Sequence, residues 1–267
     1  MVTSLALAAS LPDIPHVIAG LHLGEPRLLA IRWDLLALEP PGWGGVLLRG
    51  LLQTVKIALG GYLLGLTLGL GGAMGKLYGG PVIKSLLEGY TTIVRAVPEL
   101  VLILILFYAG TQALTSALAS WGYGRVTING FIAGVAVLGF VQGAYSTEVL
   151  RGAIQAIPAG QIEAARAFGM PFWLRLRRVI LPAMVPFAIP GLANLWLIIT
   201  KDTALLAVVS IDPSELALAT RQAAGATKQY FLFLIAAFFL YLLLSLVSNA
   251  GFRAIEKHFR RGMPKLS

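Results

Sequence analysis

Few residues in this chain can do chemistry, and they fall in two short stretches. The first, EAARAFGMPFWLRLRR over 163–178, sets Glu163 among Arg166, Arg175, Arg177 and Arg178. Glu163 precedes Arg166 by three positions, an order that favours both an ion pair and the helix dipole. The pattern predicts a short helix over 161–168, stopped by Gly169 in a left-handed conformation, with Pro171 opening a second, basic helix. Any loop at a membrane needs cations such as Arg175, Arg177 and Arg178 as anchors. Turning Glu163, Ala164, Ala165, Phe168 and Gly169 toward water is different, because exposed small and apolar atoms suit a protein partner. The second stretch, NLWLIITKDT over 194–203, places Asn194 seven residues before Lys201, on nearly the same helix side. Asn194, Lys201, Asp202 and Thr203 read as the border of a passage or its outer gate. The rival reading is a structural ion pair between Asp202 and Lys56.

Neither stretch is catalytic. The chain has no cysteine, and His16, His22 and His258 form no ligand pair, so metal chemistry is not expected. No Ser–His or paired-acid arrangement is suitably placed for an intramembrane enzyme. The nearest approach to a phosphate-binding loop, LGGAMGKL over 70–77, has Leu70 in place of the first glycine and Leu77 in place of the hydroxyl residue. Any ATP must be bound by another chain.

The elements that position these residues follow from composition. The chain has 267 residues, 57% of them hydrophobic and 12% charged, with mean hydropathy +0.81, which points to the bilayer as solvent. Five runs free of Asp, Glu, Lys and Arg are long enough to cross it: 57–75, 100–124, 126–147, 179–200 and 229–252. Without alternation, and with backbone groups to satisfy in lipid, they read as helices. Five crossings put the termini on opposite sides. With the N-terminus outside, the inner segments hold thirteen cations against five acids and the outer segments six against six, so the net charge of +9 is a topology signal and not a nucleic-acid footprint. The first ten residues read as a loose tail, and 27–38 as a helix lying in the outer interface or packed on the bundle.

Within the runs, Gly61, Gly65 and Gly69 form a small-residue stripe suited to close helix packing. Pro182, Pro186, Pro190 and Asn194 recur every four residues, on a face expected to meet protein or water. If the fourth helix begins at Pro182, Lys201 lies about 28 Å further on, near the outer interface. Arg95 and Glu148 both fall near the inner boundary, as a gate salt bridge or as plain anchors. An ion-coupled secondary transporter would need its own coupling-ion site and often shows repeats; five unequal spans show none.

EAARAFG followed by nine residues and VILP resembles the EAA loop of the membrane subunits of bacterial ATP-binding-cassette importers, with Val179 where isoleucine is usual. GAYSTEVLRGAIQAIPAGQIEAARAFG, VRAVPELV and KDTALLAVV are similar to the polar amino-acid uptake branch, and GWGGVLLRG, EGYTTIVRAVPEL and LYLLLSLVSN to its Q-type subunits for histidine, arginine-like amino acids and opines. Glu99 stands where many members carry an apolar residue. The resemblance implies an all-α, five-helix type I importer permease of the bacterial inner membrane, its N-terminus periplasmic and its C-terminus cytoplasmic. Residues 1–44 become a periplasmic tail, 45–262 the permease unit with a coupling loop at 156–182, and 263–267 a cytoplasmic tail. Glu163, Ala164, Ala165, Arg166, Phe168 and Gly169 become the coupling surface for an ATPase. Implied partners are a second permease subunit, with a heterodimer favoured over a homodimer, two ATPase subunits holding ATP and Mg, a periplasmic binding protein and lipid. The expected solute is a basic amino acid or opine, the alternative another polar amino acid such as glutamine or glutamate.

Overall fold

The structure, a computed structural model, describes residues 32–122, 129–209 and 215–259. Five helical segments are long and apolar enough to span a membrane: Gly44–Tyr78, Glu99–Ser120, Gly130–Gln155, Phe172–Val209 and Tyr230–Phe259. Four of the five are longer than the apolar run that betrays them, and Glu99–Ser120 ends short of its run, 100–124. The first helix, α1 (Gly44–Tyr78), is 35 residues long and carries Arg49 and Lys56 ahead of its own run and Lys76 behind it, about 52 Å in all. Charges delimit the hydrocarbon-compatible part of a helix, not the helix itself.

Helix α1 ends at Gly79 and Gly80, and Pro81 opens α2 (Pro81–Ala96) at a position where its missing N–H is not needed. Pro98 then holds Val97 extended, at φ −91° and ψ 139°, which ends α2, and α3 (Glu99–Ser120) follows. Helix α4 (Gly130–Gln155) is capped by Asn129, whose side chain accepts from the Phe131 N–H at 2.8 Å. Two short helices, α5 (Ala159–Ala167) and α6 (Phe172–Arg175), lead to a π-helical turn, Leu176–Ile180, and α7 (Leu181–Asp202). The π turn immediately precedes Pro182, which has no N–H to offer the carbonyl four residues back. A 3-10 segment (Thr203–Val209) prolongs α7, and α8 (Leu216–Thr227) and α9 (Tyr230–Phe259) complete the described chain.

The body is organised on α1 and α4, which run parallel and side by side. Gly61, Gly65 and Gly69 are buried in this contact. A Cβ at Gly69 would stand 2.4 Å from the Ser146 Cβ and 2.9 Å from its backbone carbon, and one at Gly65 would stand 2.7 Å from the Gln142 Cγ, so backbone approaches side chain here with no room to spare. Helix α7 packs antiparallel on both: Tyr62 Oη donates to the Leu192 carbonyl at 3.0 Å and Gln142 Nε2 to the Leu195 carbonyl at 3.2 Å.

Two features differ from the sequence reading, and a third decides between alternatives it left open. Residues 81–96, counted there only among the inner segments between spans, form amphipathic α2, which climbs back along α4 with Val94 packed among Leu102, Val141 and Ala144. Helix α8 is buried between α1 and α9, and its N-cap Glu215, counted as an outer acid, is only 2% exposed. Its carboxylate accepts from the Ala217 and Leu218 N–H groups at 2.8 and 2.7 Å, from Tyr241 Oη at 3.2 Å and from Thr54 Oγ1 at 3.4 Å. Of the 27–38 helix, the described part is a 3-10 turn, Trp33–Leu36, whose Leu35 packs with Leu47, Leu216 and Phe233; it belongs to the bundle. The tails 1–31 and 263–267 lie outside the described residues.

Gly69→Val is expected to destabilise the purified protein in detergent by about 1–3 kcal/mol or more through overpacking, whereas Gly71→Ala, which meets nothing within 4 Å, leaves the melting temperature unchanged. Burial pushes the Glu215 carboxyl above its ordinary 4.5, against the hydrogen bonds that hold it down. The folded chain therefore binds this proton more tightly than the unfolded chain, and the stability it contributes is lost as pH rises from about 4.5 through the raised value. Thermal unfolding across that range should show this component in the native protein and its loss in Glu215→Gln.

Candidate functional site: a knuckle and an acidic cluster

The loop between α4 and α7 is a knuckle with an apolar tip. Helix α5 closes with Gly169 at φ +71°. The Gly169 N–H donates to the Arg166 carbonyl at 2.9 Å and the Met170 N–H to the Ala165 carbonyl at 3.1 Å, the pair of bonds that ends a helix on a left-handed residue. This sharp stop leaves Phe168 85% exposed and Trp173 76% exposed. Glu163, Ala164 and Arg166 are exposed with them, but Ala165 is buried and faces the body of the chain. The expected Glu163–Arg166 ion pair is not seen, unlike Lys76–Glu148 and Arg151–Glu148; both side chains are exposed.

Apolar packing joins the knuckle to the body. Ile157, Leu176, Ile180 and Met184 share a core with Ala73, Leu150 and Ile154, and Ile162 and Phe172 pack against it. The Phe172 ring meets Tyr78 at 5.1 Å, edge to face, while Arg175 lies 5.8 Å from its centroid. Arg175 is thus held within the loop, where Nη1 also donates to the Met170 carbonyl at 3.4 Å.

The second constellation lies deeper. Asp202, the last residue of α7, is an electrostatic neighbour of Glu99, the first residue of α3, and both acids are electrostatic neighbours of Tyr145. Arg95 and Lys201 act on the same groups from exposed positions. Tyr145 is close to the midpoint of α4 (Gly130–Gln155), so the acids lie beside the middle of that helix. The helical segment that carries Lys201 and Asp202 starts at Phe172, well before Pro182, and runs through the π turn and the 3-10 segment to Val209. Asn194 is exposed, but Thr203 is fully buried, its hydroxyl donating to the Thr200 carbonyl at 2.9 Å. Thr203 finishes a helix and presents no hydroxyl to a passage.

Neither candidate pair is observed. Asp202 turns to Glu99 and makes no ion pair with Lys56, an exposed residue of α1. Glu148 is held by Lys76 at 2.6 Å and Arg151 at 2.7 Å, not by Arg95. Removing one partner of such a sheltered pair costs about 3–5 kcal/mol, so this contact is structural before it is anything else. Sequence reasoning missed Lys76, Thr91 and Tyr145, and it noted Glu99 without assigning it a role. The signal for Lys76 was its position three residues after Ala73 on the face that Gly65, Gly69 and Gly72 bury; a cation on a buried helix face needs a carboxylate.

Comparison with known proteins follows this geometry closely. The family described as "Binding-protein-dependent transport system inner membrane component" matches residues 46–261. The nopaline transport system permease protein NocQ of Agrobacterium fabrum is 44% identical over 231 residues, 86% of this chain and 97% of its own. The histidine/lysine/arginine/ornithine transport system permease protein HisQ of Escherichia coli is 38% identical over 224 residues, 84% and 97% of the two chains. Among solved structures, that of an amino acid ABC transporter with histidines superposes with a TM-score of 0.67 at 27% identity, covering 81% of this chain and 95% of the other. A match over the whole described bundle, with relatives aligned nearly end to end, leaves one assignment: this chain belongs to the inner membrane components of binding-protein-dependent transport systems.

Proposed function

We propose that this chain forms half of the passage of an ATP-driven importer for cationic amino acids or opines. The observation that carries the solute class is the electrostatic proximity of Glu99 and Asp202 beside Tyr145 of α4. Two carboxylates brought together where water is scarce repel each other and accommodate a cationic group between them. An acidic solute would meet like charge at this point, which disfavours glutamate. Tyr145 supplies a hydroxyl beside the acids, while Arg95 and Lys201 flank them and suit the carboxylate end of the same solute. The relatives NocQ and HisQ, named for nopaline and for histidine, lysine, arginine and ornithine, agree in chemistry.

Energy enters at the knuckle. Phe168 is the apolar anchor, Glu163, Ala164 and Arg166 border it, and Gly169 allows close backbone approach by a cytoplasmic ATPase. Ala165 keeps α5 seated on the body. The cation excess on the knuckle side supports a cytoplasmic knuckle and a periplasmic N-terminus, by the positive-inside rule. The complete transporter then consists of this chain, a second permease chain, two ATPase subunits that bind ATP and Mg, and a periplasmic binding protein that delivers the solute. Nucleotide binding and release shift the helix block resting on the knuckle, and the acid pair faces each side of the membrane in turn.

The test is uptake by proteoliposomes holding the complete transporter with enclosed ATP. Glu99→Gln and Asp202→Asn should each lower arginine uptake at subsaturating concentration by at least about tenfold, or about 1.4 kcal/mol, while both complexes assemble and hydrolyse ATP. Arginine transport with unaltered apparent affinity in both variants contradicts the assignment of the acids.

A further inference from the structure

Lys76 is a buried cation that neither the acidic cluster nor the knuckle surface uses. Its side chain is 9% exposed, and Nζ donates to Glu148 Oε1 at 2.6 Å and to Thr91 Oγ1 at 2.7 Å. Three helices meet at this one nitrogen: α1 through Lys76, α2 through Thr91 and α4 through Glu148. On the other oxygen of Glu148, Arg151 donates through Nη2 at 2.7 Å and Nε at 3.0 Å, and its Nη1 reaches Gln155 Oε1 at 2.9 Å. Gln155 is the last residue of α4, and α5 of the knuckle begins at Ala159.

The same network points the other way along α2. That helix ends at Ala96, and only Val97 and Pro98 separate it from Glu99. Pro98 has a fixed φ and holds Val97 extended, so the joint is short and stiff. The hydrogen-bonded chain Gln155, Arg151, Glu148, Lys76, Thr91 therefore links the root of the knuckle to α2, whose C-terminal end is joined through Val97 and Pro98 to Glu99, one of the two acids. Apolar contacts along the same helices can slide, whereas charge-assisted hydrogen bonds hold direction as well as distance.

We propose that the Lys76–Glu148 pair is the positioning latch through which movement of the knuckle displaces α2, and with it Glu99 relative to Asp202. Lys76, Glu148 and Thr91 are positioning residues; the solute meets the acids above them. The latch rests on the reading of the chain as a permease of an ATP-driven importer.

The test uses the complete transporter with its binding protein in proteoliposomes and reads solute moved per ATP hydrolysed. Two variants are compared with the native protein. The double variant Lys76→Gln with Glu148→Gln removes both charges and leaves neither stranded, and Thr91→Val cuts the tie to α2 while leaving the ion pair. Both should assemble and hydrolyse ATP, with solute moved per ATP reduced about tenfold in the double variant, within the range of measured couplings between sites, and reduced less in Thr91→Val. A native ratio in either variant overturns the latch. Failure of both to assemble also overturns it, since the pair is then a structural staple alone. Uptake by the native protein that proceeds without ATP would instead overturn the functional reading on which the latch rests.

Discussion

The close contact between α1 and α4 is the constraint on which the rest of the structure depends. Between helices in lipid there is little hydrophobic gain to be had, so association relies on packing and on internal hydrogen bonds. Gly65 and Gly69 bring the α1 backbone against Gln142 and Ser146 of α4. At that separation the longer side chains on either flank are forced to choose partners. Tyr62 and Gln142 bond to carbonyls of α7, and Lys76 meets Glu148. A wider spacing would leave each of these polar groups without its partner in a medium where an unsatisfied group costs several kcal/mol.

From this contact two consequences run in opposite directions along the membrane normal. Toward the knuckle, Ala73, Leu150 and Ile154 form a floor on which Ile157, Ile162 and Phe172 rest, so that a force on Phe168 bears on the bundle and not on a loose loop. Toward the middle of the spans, α2 and the extended joint at Val97 hold Glu99 opposite Asp202. The polar groups of the chain thus fall in two sets: one is buried and paired and holds helices together, and a second, Glu99 and Asp202, stands beside Tyr145 of α4 with exposed cations nearby.

The sequence made some of this plain and hid the rest for physical reasons. Charge-free runs revealed all five spans because a charge at the bilayer centre is costly, and the sharp turn at Gly169 was legible because only a few residue types accept a positive φ. The reading fails where a residue's role depends on which helix stands opposite. Lys76 and Glu148 each looked like the edge of a span, yet they are partners on neighbouring helices. Glu215 read as a solvated acid because its cap and its tyrosine lie on elements 26 residues apart in sequence. Helix α2 was missed because its charges broke the apolar run. That pattern belongs to a helix with one face on the bundle, as Thr91 and Val94 show by their burial. Pro182 suggested a helix start, whereas a π turn carries the helix through from Phe172.

The central claim is that work enters this lipid-embedded chain through the exposed tip of its knuckle. It is tested most directly by replacing Phe168 with a photo-crosslinking amino acid in the native host and irradiating the assembled transporter. The account predicts an adduct between residue 168 and a nucleotide-hydrolysing subunit, with yield that changes when ATP is trapped. Adducts to lipid alone, or to no ATPase chain in a preparation that transports normally, would contradict it.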